Sequence, residues 1–226
     1  MTFREFSRVP NHGGVPRFEG EQSKTSIYGR GLKRCFDITF ILIFLPVYLP
    51  LLLVIILLVA IDGGKPLYRQ NRLGRGGRVF KMMKIRTMVD GADDLLKLHL
   101  ESSAEAHQEW SKTQKLKNDP RVTRIGYFLR KSSLDELPQL WNVFKGDMSL
   151  VGPRPMMVEQ RSMYPGTAYF ELRPGITGSW QVSERNSCSF AERAAYDRSY
   201  LASLSFSQDM SILLKTVAVV VRGTGC

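Results

Sequence analysis

Residues 38–61 read "ITFILIFLPVYLPLLLVIILLVAI", a run without a single formal charge. As a helix rising about 1.5 Å per residue it would extend about 36 Å, and bilayer hydrocarbon is about 30 Å thick. A cleaved signal peptide does not match it, because the run is too long, starts too late and leads into "DGGKP" without a small-x-small site. The run belongs in lipid, and the rest of the chain is arranged around it.

Both of its flanks are basic. Lys24, Arg30, Lys33 and Arg34 stand before it, and residues 63–86, "GGKPLYRQNRLGRGGRVFKMMKIR", follow with eight cations and no acid. The whole chain carries 32 Lys+Arg against 21 Asp+Glu, a formal +11, so this one stretch supplies +8 of the excess. Such a balance favours anionic partners: nucleic acid, acidic lipid or phosphorylated small molecules. Lys- and Arg-rich flanks stay on the cytoplasmic side of a membrane, and here both flanks qualify. Pro46 and Pro50 lie near the middle of the run, where each removes a backbone donor and eases a bend. A helix that enters, turns near Leu49 and Pro50 and leaves on the same face satisfies charge and proline together. A single kinked span is the alternative, and either course leaves the C-terminal part cytoplasmic. Residues 1–30, polar and turn-rich, are expected to form a mobile tail.

Beyond the run, residues 66–90 read as two short strands around a glycine turn, a basic hairpin that would face acidic headgroups. Residues 91–117 are rich in helix formers and read as one polar-faced helix. Near the end, "DMSILLKTVAVVVRG" is too short to span and reads equally as an interfacial or a buried helix. Cys35, Cys188 and Cys226 are far apart and form no metal or disulfide framework, and His99 and His107 sit in a polar stretch that suggests surface residues.

The chemistry concentrates in "SSLDELPQL", residues 132–140. Ser133 to Glu136 matches a capping box, but a helix capped by Ser133 would put Pro138 at its fifth position, where the missing N–H breaks the ladder. A start at Leu134 or Asp135 moves the proline into the tolerant first turn and sets Asp135 at the positive end of the helix dipole, where its ionised form is favoured. Neighbouring helical residues point about 100° apart, so Asp135 and Glu136 suit different tasks: one a nucleophile, the other a ligand for a divalent cation. Arg121, Arg124, Arg130 and Lys131 just upstream offer the positive charge that a carboxylate needs to approach a phosphate. Downstream, Arg154 is held between Pro153 and Pro155 in "VGPRP", presenting its guanidinium with little freedom left to lose. "RPGITG", residues 173–178, reads as a Pro-Gly turn.

Together "KRCFD", the apolar run with Pro50, "FKMMKIRTM", "SLDELPQLWNVFKGDMSLVGPRP" and "RPGITG" resemble the bacterial sugar transferase family, the monotopic polyprenyl-phosphate phosphoglycosyl transferases, and within it the exopolysaccharide-initiating undecaprenyl-phosphate galactose phosphotransferases. The resemblance covers residues 33–222. It implies transfer of a hexose-1-phosphate from a UDP-sugar to polyprenyl phosphate with release of UMP, at the cytoplasmic face of a bacterial inner membrane. It implies Asp135 as nucleophile and Glu136 as a Mg²⁺ ligand. Arg154 and Arg130 are implied as phosphate-binding residues, and Lys84 and Arg86 of the basic stretch are further candidates for that role. The family's re-entrant helix breaks at Ser-Pro, where this chain has Leu49-Pro50. The expected architecture is α+β and mostly helical: a membrane helix over residues 31–62, then a compact cytoplasmic catalytic domain over residues 63–226 with a small hairpin and interfacial helices. Two other readings stand beside it, transfer of the sugar alone with UDP released, and a non-enzymatic basic scaffold. Nucleic acid is not expected as a partner, since the basic stretch follows a lipid segment and lacks a reading motif.

Overall fold

The computed structural model describes residues 27–61, 63–113, 116–183 and 190–221. The tail expected over residues 1–30 lies outside these up to residue 26. Residues 27–30 are helical rather than tail-like, in a short π-helical entry, Tyr28–Leu32, that runs into helix α1, Lys33–Ile61. Helix α1 is continuous through Pro46, Leu49 and Pro50, so a change of direction at the Leu49-Pro50 pair does not take the form of a break in helical structure. Each proline deletes one ladder bond, which a long apolar helix tolerates.

The strands β1, Leu67–Leu73, and β2, Val79–Ile85, form the expected antiparallel hairpin, with Gly76 and Gly77 at positive φ in its turn. Helices α2, Ala92–Ser102, and α3, Ala104–Thr113, replace the single helix expected over residues 91–117. The break is at Ser103, which is extended and whose Oγ accepts from Ala106 N, so a serine inside the pattern caps a new helix. Helix α4, Arg124–Ser132, starts at Thr123, whose side chain accepts from Gly126 N, and ends at Ser133 in the left-handed region. A 3-10 turn, Leu134–Glu136, leads through Pro138 into α5, Gln139–Lys145. Strand β3, Ser149–Val151, helix α6, Ala168–Glu171, strand β4, Gly175–Thr177, and helices α7, Ser179–Val182, α8, Phe190–Ala202, and α9, Phe206–Val221, complete the order.

Strands β3 and β4 pair in parallel, so "RPGITG" is more than a turn: its Gly-Ile-Thr is a strand laid beside the one that leads into "VGPRP". Glycine makes the approach feasible. A Cβ on Gly152 would sit 2.3 Å from the Arg173 carbonyl oxygen, and one on Gly178 would sit 2.1 Å from the Gly152 carbonyl oxygen.

The main core gathers Phe80 and Met82 of β2, Val143 of α5, Leu150 and Val151 of β3, and Ile41 of α1. A second cluster sets Ile55 and Val59 of α1 against Ile85 and Leu129. Both halves of α1 therefore rest on the same folded body. Near its start Arg34 donates to the carbonyls of Val143 and Phe144, and Asp37 accepts from Ser149 Oγ and Leu150 N; near its end Arg86 reaches the Val59 carbonyl. The remaining surface of α1, including Ile43, Val47, Leu53 and Leu57, is exposed and apolar. By length and composition α1 is able to cross a membrane. Helix α9 divides between the two readings of its sequence: Asp209 and Ile212 are buried, whereas Leu214 and Val217 are exposed.

Candidate active site

The hairpin positions the first component. Along β2, Phe80, Met82 and Lys84 alternate onto one face, because side chains two apart share a side of a strand. Phe80 and Met82 enter the core, and Lys84 continues their row to its edge. Across the ladder Arg72 pairs with Phe80 and Gln70 with Met82, so Arg72 shares this face.

The 3-10 turn positions the second component. Ser133, at φ 57, is the one non-glycine with positive φ among the described residues. It stops α4 and turns the chain sharply enough that Asp135 and Glu136 face β2. The capping box does not form, since Ser133 makes no side-chain cap bond. Pro138 precedes the first residue of α5, the tolerant position its chemistry requires. Asn142 then fixes α5 to the hairpin: its Oδ1 accepts from Met83 N at 3.0 Å and its Nδ2 donates to the Lys81 carbonyl at 2.8 Å, mimicking a neighbouring strand. Asn142 is fully buried, and sequence reasoning did not single it out.

These placements bring the acids together on one cation. Lys84 Nζ lies 2.9 Å from Glu136 Oε1 and 3.3 Å from Asp135 Oδ2. Asp135 is 8% exposed, and its carboxylate meets an ammonium rather than apolar packing. Burial raises its pKa above the ordinary carboxylate range, with Lys84 opposing, Glu136 reinforcing and Arg130 opposing. The dipole-favoured ionisation expected from the sequence is thus not what dominates here; desolvation is.

The cleft beside the pair, partly open to solvent, is lined by Arg72, Lys84, Glu136, Gln139, Arg154 and Gln181, among others; Asp135 sits behind this lining and reaches it through Lys84. Arg154 is exposed, as its two prolines suggested. Arg72 is half-buried, donates to the Pro155 carbonyl and to Gln70 Oε1, and has its Nε buried without an acceptor. Burial, then the nearby Arg154 charge, lower the Arg72 pKa. Arg72 and Arg154 repel each other across the cleft, and an anion bound between them would relieve that repulsion. Arg72 was legible only as one of eight basic residues; its inward position follows from cross-strand pairing.

The other expected cations divide. Arg130 donates to Thr87 Oγ1 at 2.9 Å and its charge is felt at Asp135, while its own pKa is lowered by burial. Arg121 is buried against Asp119 at 2.6 Å and over the Trp110 ring, and Arg124 and Lys131 are exposed. Arg86 pairs with Asp90 at 3.2 Å and with the Val59 carbonyl, and it does not line the cleft. Of the eight cations of the basic stretch, Arg72, Lys84 and Arg86 are engaged within the fold and Arg78, though exposed, pairs with Asp147 at 3.8 Å, while Lys65, Arg69, Arg75 and Lys81 are exposed toward the surroundings.

Among the described residues no three His, Cys, Asp or Glu side chains converge as a metal cage. Two carboxylates that meet at one cationic point are nevertheless the donor set that Mg²⁺ accepts, because it completes its shell with phosphate oxygens and water. The residues present fit that ion.

A family model described as bacterial sugar transferase matches residues 28–223. The UDP-galactose-lipid carrier transferase of Erwinia amylovora is 48% identical over 198 residues, 87% of this chain and 42% of that protein. The exopolysaccharide production protein ExoY of Sinorhizobium fredii is 43% identical over 196 residues, 85% of this chain and 87% of that protein. The undecaprenyl-phosphate galactose phosphotransferase of Salmonella typhimurium is 43% identical over 211 residues, 92% of this chain and 44% of that protein. The chain thus spans less than half of the first and third of these relatives and most of the second. With the family model covering most of its length, and with both acids meeting on Lys84, which shares a cleft with Glu136 and Arg154, the chain belongs to the bacterial sugar transferase family.

Proposed function

We propose that this protein transfers a hexose-1-phosphate from a UDP-sugar to polyprenyl phosphate at a membrane surface, as the first membrane step of a polysaccharide. The observation that carries the reading is the convergence of Asp135 and Glu136 on Lys84 at a cleft that also holds Arg72 and Arg154. The names of the relatives, a lipid carrier transferase and an undecaprenyl-phosphate phosphotransferase, support the same substrate classes.

In this mechanism Arg72, Arg154 and Lys84 receive the diphosphate. As Lys84 turns its ammonium toward the incoming phosphate, Asp135 is freed. A carboxylate oxygen of Asp135 attacks the β-phosphorus, the bond from that phosphorus to the bridging oxygen breaks, and its electron pair leaves with UMP. An oxygen of the polyprenyl phosphate then attacks the same phosphorus, the bond to Asp135 breaks, and the carboxylate is restored. Mg²⁺ held by Glu136 would neutralise phosphate charge. Two displacements let one site serve a water-soluble donor and a lipid acceptor in turn.

The lipid acceptor requires the cleft to lie at the membrane. The exposed apolar surface of α1 has too much hydrocarbon for water, and both ends of α1 are bound to one body, which supports entry and exit on the same side. Exposed aromatic residues Tyr127, Trp141 and Phe144 suit the headgroup region.

The test incubates the purified full chain with UDP-galactose or UDP-glucose labelled at the β-phosphate. Released UMP and acid-quenched label on the protein are expected, both lost in Asp135→Asn, and turnover is expected to stop in EDTA and return with Mg²⁺. Release of UDP would favour transfer of the sugar alone. Turnover with no labelled protein, or an active Asp135→Asn, would remove the covalent step.

A further inference from the structure

A second pocket, partly open to solvent, lies beside the acid-pair cleft, and Arg154 lines both. Its other walls are Met156, Tyr164, Tyr169, Trp180, Arg193 and Asp197. Apart from Arg154, none of these takes part in the phosphoryl chemistry above.

The polar groups here are arranged for a ligand with many hydroxyls. Asp197 is buried, and one of its oxygens accepts from Tyr164 OH at 2.8 Å. The Arg193 guanidinium lies 4.1 Å from the Trp180 ring centroid and that of Arg154 lies 5.9 Å from it. Trp180 is 8% exposed, and its Nε1 is buried without an acceptor. A buried indole N–H without a partner carries a desolvation cost that a ligand oxygen would recover. The cavity thus offers a carboxylate acceptor, an indole donor and two guanidiniums within aromatic walls.

Three occupants can be weighed against this lining. A phosphate is disfavoured by the Asp197 carboxylate. A uracil ring presents one N–H donor and needs an open aromatic face, whereas Trp180 already has Arg193 stacked on it. A hexose carries a donor and an acceptor on each hydroxyl, and its anomeric carbon is joined directly to the phosphate that the neighbouring cleft would hold.

We infer that this cavity receives the hexose ring of the donor, and that Trp180 and Asp197 select among hexoses by the arrangement of their hydroxyls. The inference rests on the sugar-nucleotide reading above. Arg154, shared by the two cavities, then marks the junction between sugar and phosphate.

The experiment measures UMP release by the full chain with UDP-galactose, UDP-glucose and UDP-N-acetylgalactosamine, together with competitive inhibition by UMP, which carries the nucleoside and no hexose. Trp180→Phe deletes the N–H and keeps a ring, and Asp197→Asn keeps the shape of the acid; a thermal melt checks the fold of each. For Trp180→Phe, kcat/KM for the preferred hexose is expected to fall about tenfold or more, and the ratio of preferred to next hexose to shrink by a similar factor. The UMP inhibition constant is expected to stay within about twofold. Equal weakening of UMP inhibition would overturn the inference in favour of a nucleoside pocket. Unchanged discrimination in a folded Trp180→Phe would overturn it outright, even if Asp197→Asn failed to fold. Wild-type protein that released no UMP from any UDP-hexose would fail the donor reading itself, before any variant was compared.

Discussion

Lys84 Nζ lies 3.3 Å from Asp135 Oδ2, although 51 residues separate the two along the chain. The same ammonium binds Glu136, so it is the shared counter-charge of the acid pair. Without it two carboxylates would face each other, and Asp135, already raised by burial, would titrate at still higher pH. Lys84→Met is therefore expected to move the acid limb of the pH–rate profile upward by about one pH unit or more and to lower kcat at pH 7 by about 10²-fold. An acid limb in the same place would separate Lys84 from the ionisation of the pair.

Asn142 carries the register between α5 and the hairpin through two bonds to β2 backbone. Asn142→Ala leaves the part-buried Met83 N–H and Lys81 carbonyl without these partners, at up to about 1–3 kcal/mol for each. A loss of about 2–5 kcal/mol in denaturant unfolding is expected, with kcat falling more than stability alone explains because Lys84 and Asp135 lose their alignment. Wild-type kcat in the folded variant would show that the acid pair does not depend on this amide.

Gly178 meets the Gly152 carbonyl so closely that an added Cβ would lie 2.1 Å from its oxygen. Relief requires β3 and β4 to separate, and the loop carrying Arg154 moves with them. Gly178→Ala is expected to destabilise by about 1–3 kcal/mol and to raise the donor KM. A melt and a donor KM both equal to wild type would mean that the strands yield without cost.

Asp197 has a pKa raised by burial from 3.8 to about 6, against the Tyr164 hydroxyl and the Arg193 charge. Between these values the folded state binds more protons than the unfolded one, so this group's contribution to stability declines as pH rises from about 4 to about 6, by up to about 3 kcal/mol. Asp197→Asn removes that slope. Unfolding free energies at pH 4.5 and 7.5 are expected to diverge less in the variant than in the wild type; identical pH dependence would place the titration elsewhere.

Much of the architecture was readable because its signals are local. The uncharged run of residues 38–61 is a helix by composition, glycines at 76 and 77 close a hairpin, and the acid pair is visible as a doublet. Lys84 is expected from the sequence to bind phosphate, and its place in the row Phe80, Met82, Lys84 marks it as facing inward; that it joins the two acids is visible only in the fold. The break at Ser103 was missed because helix formers surround it and the cap depends on one hydroxyl.

What the amino-acid order determined by itself was the apolar helix, the basic hairpin and the adjacent acids Asp135 and Glu136, all of them legible in composition or short-range pattern. Tertiary structure alone decided that Lys84 joins the two acids, that "RPGITG" lies as a strand beside β3, and that Trp180 and Asp197 share a cavity with Arg154. Those contacts join segments tens of residues apart. They depend on backbones close enough to exclude a Cβ and on buried polar groups finding partners, conditions that exist only once the chain has closed on itself.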